Sequence, residues 1–274
     1  MARRRGARRR ARRLGAGRAS GRPDARARPH GSRRPLHPPR LSWARGDARL
    51  PRLGGRARWV TSRPRREEQQ MADTEAAPLS EETQAVAEYL AGAVDRPLPD
   101  EVVTRTTYHV LDTVAAMISG AVLEPGRLAI GYVRSQGGVE EAQVIGADVR
   151  TNATLAALAN GISAHADETD DSHAPSFSHP GCAVVPAALA VAERHGRSGT
   201  DLVRAVAAGY DIGCRITPML GMSQFSAHGS SLASHAVVSV YGAAAAAAAL
   251  EGLSPEQVRW VLSYATQQSS GVTT

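Results

Sequence analysis

Seven consecutive alanines, Ala243 to Ala249, constrain this chain more than any other feature. Alanine is the strongest helix former and a poor strand former, so the segment from His235 to Leu250 reads as a helix. Its surface is almost bare backbone and methyl groups, which invites close approach by another helix. The run is too short and too weakly hydrophobic for a membrane span, which needs about 20 apolar residues. A small-residue helix of this kind belongs inside an all-α domain.

The flanking sequence agrees. Ser80 followed by Glu81 and Glu82 supplies an N-cap with acidic residues in the first turn, and Val86, Leu90 and Val94 share one face. A second helix starts at Asp100 after Pro99, with an apolar face of Val103, Tyr108, Leu111, Val114, Ala115 and Ile118, and ends at Gly120. A short extended piece, Ala142 to Gly146, comes before a helix over Asn152 to Asn160. Val184 to His195 is helical up to Gly196, and Thr200 caps a further helix to about Arg215. Ser254-Pro255-Glu256-Gln257 forms a capping box with proline at the first helical position. About seven helices and one weak strand predict an all-α helical domain without internal repeats.

Charge divides the chain in two. Residues 1–70 carry 23 Arg against Asp24, Asp47, Glu67 and Glu68, whereas residues 71–274 carry ten Arg against 22 carboxylates. The front cannot bury enough apolar surface to offset chain entropy, so residues 1–74 are expected to be a disordered extension. An arginine-rich arm can bind nucleic acid, and transit peptides are also Arg-rich. We favour a third reading, upstream sequence ahead of a true start at Met71, and expect no nucleic-acid partner. Residues 75–274 form the helical domain, expected to be a piece of a longer protein because Leu262 to Thr274 shows no terminator. The chain contains no lysine, which removes Schiff-base chemistry and lysine general bases from the residues shown. Cys182 and Cys214 lack metal-ligand spacing and suit free thiols in a reducing compartment, so a cytoplasmic location away from the membrane is expected.

The densest chemistry lies between Asn160 and Gly181, where His165, Asp167, Glu168, Asp170, Asp171, Ser172, His173 and His179 crowd between two apolar helices. Clustered carboxylates push one pKa upward while imidazoles stabilise the remaining charge, so the set can supply both an acid and a base. Two other readings stay open. The His and Asp side chains could hold a divalent ion, although the spacing matches no established motif. Alternatively, Asp170 and Asp171 cap the next helix while His165 is a satisfied core residue.

The alanine-rich helix ending in Asn160-Gly161, then His165, the acidic run and His179-Pro180-Gly181, resembles the signature of the MmgE/PrpD family, which includes 2-methylcitrate dehydratases and cis-aconitate decarboxylases. Leu111-Asp112-Thr113 through Ser119-Gly120, Gly209-Tyr210-Asp211-Ile212 with Arg215, and Tyr241-Gly242 through Ser254 follow in the family's order. The resemblance implies a lyase acting on a small polycarboxylate, by dehydration or decarboxylation, without cofactor or metal and as a homodimer. It implies His179 as proton-transfer group with Glu168, Asp170 and Ser172 in catalytic positions, and His165 and Asp171 in substrate-binding ones. A further substrate-binding histidine corresponds to His228 or His235. Glu168 stands where the pattern has Asp, Ser172 where it has Thr, and the loop from Ser172 to His179 is one residue longer. The resemblance also implies a smaller α+β lid domain beyond Thr274, bringing the cationic groups that an acidic body lacks; without it the chain should bind weakly or be inactive. Epimerisation or isomerisation of a carboxylated substrate on the same scaffold, and a non-enzymatic helical protein with a nucleic-acid-binding tail, are the alternatives.

Overall fold

The computed structural model describes residues 79–221 and 233–271. The Arg-rich segment assigned to residues 1–74, and His228, lie outside the described residues. Within them the chain is all-helical apart from one minimal hairpin: α1 (Glu81–Ala91), α2 (Asp100–Ala121), α3 (Glu124–Gln136), β1 (Ala142–Gln143), β2 (Arg150–Thr151), α4 (Ala153–Ala164), a 3₁₀ turn (Ala174–Ser176), α5 (Gly181–His195), α6 (Gly199–Met219), α7 (Ser234–Glu251) and α8 (Pro255–Gln268).

Local chemistry starts most of these helices. The side chains of Ser80, Asn152, Ser198 and Ser254 each accept a hydrogen bond from the backbone N–H three residues on, satisfying a donor that the first turn leaves unpaired. At α8 the box expected from Ser254 and Gln257 is reciprocal. The start expected at Thr200 lies two residues earlier: Ser198 is the cap because Asp201, at the third helical position, returns a bond to the Ser198 N–H, which Thr200 has no partner to match. Gly196 closes α5 in the left-handed conformation (φ 59°).

Helix α3, which the sequence analysis does not assign, is opened by Glu124 and Pro125. Gly126 is required there, since a Cβ would press on the Gly120 and Ala121 backbone at the α2–α3 bend. The apolar face read on α2 also points the other way. Tyr108, Leu111 and Ile118 are more than half exposed, while Thr106, Thr113, Ala116, Met117 and Gly120 form the buried side. Small residues win that side because α4 comes close enough for a Gly120 Cβ to collide with the Ser163 backbone.

The core is built on the same principle. Where α6 crosses α7, a Cβ on Gly209 would stand 2.7 Å from the Gly242 carbonyl oxygen, and one on Gly242 would stand 2.7 Å from Val184 Cγ2. The alanines of α7 surround this contact, with Ala245, Ala246 and Ala249 fully buried beside Val184, Val185 and Val206. The hairpin is tied to α4 through Asn160, whose amide oxygen accepts from Ile145 N at 2.8 Å and whose amide nitrogen donates to Gln143 O at 3.0 Å. This fixes the C-terminal end of α4, where the polar loop begins. No single helix among the described residues is long and apolar enough to cross a membrane.

Candidate active site

His165 caps the C-terminus of α4, and the loop that follows returns to α5 at Gly181. Within it, His173 pairs with Ser178 as an isolated antiparallel bridge around the 3₁₀ turn. The His173 imidazole bonds Ser176 Oγ at 2.7 Å, and Thr217 of α6 donates to the Ser176 carbonyl at 3.3 Å. These bonds anchor the loop and its functional groups to the helical scaffold.

The side chain of Asp170 is fully buried. Its carboxylate meets His165 Nδ1 at 3.1 Å and has His179 Nδ1 at 3.8 Å from Oδ1, so its ionic partners among the described residues are imidazoles. His179 Nδ1 is itself buried without a hydrogen-bond partner. The His179 ring lies 5.2 Å from that of His165, and 5.2 Å from that of His235, on which it is nearly parallel at 20°. Three imidazoles therefore stand in a row beside one buried carboxylate. Burial lowers the His235 pKa, and the neighbouring His179 and His165 charges lower it further, which favours a neutral ring there. Cys182, the second residue of α5, points its Sγ at the His179 carbonyl oxygen, 3.1 Å away. Burial pushes the Cys182 thiol up to about 12, helped by the Asp170 charge.

Asp171 makes a second, separate centre. His109 Nδ1 of α2 lies 2.9 Å from Oδ2, Tyr210 of α6 donates its hydroxyl to the same oxygen at 2.8 Å, and the Gly181 N–H donates to Oδ1 at 2.9 Å. Burial raises its pKa, but the bonds from His109, Tyr210 and Gly181 together outweigh it and hold the carboxyl below its usual value. The bond to Asp171 in turn raises the His109 pKa. Burial and the same charge raise that of Tyr210. Position Gly181 admits only glycine: a Cβ would sit 2.6 Å from both Asp171 Oδ1 and Thr113 Oγ1. Asp171, expected to bind substrate, thus spends both oxygens on fastening the start of α5, two residues beyond His179, to α2 and α6.

The remaining candidates are placed less centrally. Glu168 is exposed and takes a left-handed backbone (φ 54°), and only its charge is felt at His235. Ser172 is exposed. Of the two histidines left open by sequence, His235 joins the row. A cavity of about 560 Å³, lined by His173, Tyr210, Cys214, Arg215 and Met219 among others, opens on the Asp171 side, where Arg215 is already bonded to Asp211 at 2.5 Å. His109 is not singled out by the sequence, and Cys182 reads there only as a free thiol. Tyr210 was visible only as part of a Gly-Tyr-Asp motif, and nothing around His109 in its helix marks it as a partner for a loop 62 residues later.

Residues 84–274 match the model for the MmgE/PrpD N-terminal domain. The human cis-aconitate decarboxylase is 30% identical over 196 residues, which cover 68% of this chain and 39% of that protein. A cis-aconitate decarboxylase-like protein of Aspergillus oryzae is 28% identical over 215 residues, covering 74% of this chain and 43% of its own length. The chain spans about two-fifths of the length of these relatives.

Proposed function

Because this chain belongs to the MmgE/PrpD family, we propose that it forms the helical domain of a lyase acting on a small polycarboxylate. The observation that carries the reading is Asp170, a fully buried carboxylate with His165 and His179 against it and His235 stacked on His179. A carboxylate that orients an imidazole, beside a second imidazole that favours neutrality, can move a proton to or from a carbon next to a carboxylate. In this assignment His179 is the acid or base, and the buried Asp170 carboxylate, which holds His165 by a hydrogen bond, stands 3.8 Å from His179 Nδ1. His165 and His235 flank the reacting carbon and can face the substrate's carboxylates. Proton removal would be coupled to loss of hydroxide as water, and proton delivery to loss of carbon dioxide. The similarity to proteins named for cis-aconitate decarboxylation supports the second course.

We also propose a homodimer contact on α2, where Tyr108, Leu111 and Ile118, with Val122 just past its end, form one exposed apolar stripe that the other described residues leave uncovered.

The test is His179→Ala in the whole protein carrying this domain, assayed with cis-aconitate for carbon dioxide release. Loss of a positioned acid or base should lower kcat by about 10²- to 10⁴-fold with the helical circular dichroism unchanged. Activity within about threefold of the parent, on a scale where such groups supply at least 10²-fold, refutes the assignment.

A further inference from the structure

We infer that His165, Asp170, His179 and Cys182 together form a binding site for a borderline-soft divalent transition-metal ion, Zn²⁺ above others, at which the metal silences the imidazole row. The ligand atoms of His165, Asp170 and Cys182 already lie within 4.8 Å of one another. His179 Nδ1, buried without a hydrogen-bond partner and 3.8 Å from Asp170 Oδ1, stands beside this trio and would complete the shell by turning toward it. One thiol, two imidazoles and one carboxylate make a donor set for tetrahedral zinc, whereas magnesium and calcium prefer all-oxygen shells. Bond lengths to zinc put neighbouring ligand atoms roughly 3.3–3.7 Å apart, so closing the shell needs movements on the order of 1 Å. His165, with 41% of its side chain exposed, is free to make the largest of them. Asp170 and the first turn of α5 are held by packing and by the Asp171 bonds, which fixes the other donors.

Binding balances simply. The metal takes a lone pair from each imidazole and from the carboxylate; the Cys182 proton goes to solvent and the His165 ring carries its proton on Nε2 instead of Nδ1, which breaks the thiol's bond to the His179 carbonyl and the His165 bond to Asp170. Affinity should therefore rise with pH, because protons on the thiol and the imidazoles compete with the ion. Cys182 takes no part in the proposed proton transfer, so its place beside Asp170 has no other use in the site. The inhibitory consequence rests on the lyase reading; the binding itself does not.

The experiment is a titration of the intact chain with Co²⁺ as a spectroscopic stand-in for zinc, without substrate. One equivalent should produce a thiolate-to-cobalt charge-transfer band that Zn²⁺ bleaches. The chain has only two cysteines, so the band can be assigned: Cys214→Ser should keep it and Cys182→Ser should lose it. Should Cys182→Ser fail to fold, His165→Ala serves instead and should weaken binding by more than about tenfold, the cost of disturbing even an outer-sphere partner. No band in the parent protein, a band that survives Cys182→Ser, or unchanged affinity in His165→Ala overturns the proposal. Binding without any lyase activity in the whole protein would sink the functional reading and leave the metal site standing.

Discussion

Replacing Asp171 by Asn keeps the side chain's shape and removes its charge, and the three bonds at that carboxylate set the cost. The Gly181 N–H and the Tyr210 hydroxyl can both be kept, the first by the Asn carbonyl and the second by rotating to accept from the Asn amide. His109 then faces an amide that offers it a proton instead of a charge. A hydrogen bond to a charged group contributes about 1.5–3 kcal/mol, less where water screens the partly exposed His109, so we expect about 2 kcal/mol in all. The assay is urea unfolding followed by helical circular dichroism, where a slope near 2 kcal/mol/M gives a midpoint lower by about 1 M. The pH dependence makes the test specific. His109 has a raised folded pKa, so its contribution is complete below its ordinary value near 6.5 and fades as pH rises through the folded value. Asp171 has a lowered one, so its contribution is complete above about 4 and fades as pH falls through the folded value. The substitution should therefore cost most near about pH 5 and least above about pH 8. A cost of the same size at both, or below about 0.5 kcal/mol at each, would refute the account of Asp171 as a charged fastener.

Gly242→Ala should destabilise by about 1–3 kcal/mol through overpacking against Val184 and the Gly209 carbonyl, read as a lower thermal midpoint; a neutral result would mean the α6–α7 spacing is softer than drawn. Ser254→Ala removes the side chain that accepts from the Gln257 N–H and should cost about 1 kcal/mol in the same assay. Charging the α2 stripe with Leu111→Glu and Ile118→Glu should shift the protein toward monomer in sedimentation while leaving its helicity intact, since both side chains are more than half exposed. An unchanged oligomeric state in that variant would move the contact elsewhere.

Much of the fold was legible residue by residue. Helix starts depend on a cap and the next three residues, so Ser80, Asn152 and the Ser254 box announce themselves wherever the chain goes. Counting apolar side chains failed where glycine and alanine control the packing. The buried face of α2 is its small, partly polar side, because α4 approaches to backbone contact at Gly120, and a hydrophobicity pattern carries no information about how closely two helices will lie. The candidate site divides in the same way. The acidic, histidine-bearing loop was evident as a cluster, and so was its position between two apolar helices. That Asp170 turns inward to the imidazoles while its neighbour Asp171 turns to His109 and Tyr210 is decided by partners on α2 and α6, 62 residues before and 39 residues after Asp171. Adjacent carboxylates point to different sides of an irregular backbone, and only the packing of distant helices determines what each one meets. The place of His235 in the imidazole row has the same origin. It follows from α7 lying across α5 and α6, a contact set by Gly209 and Gly242.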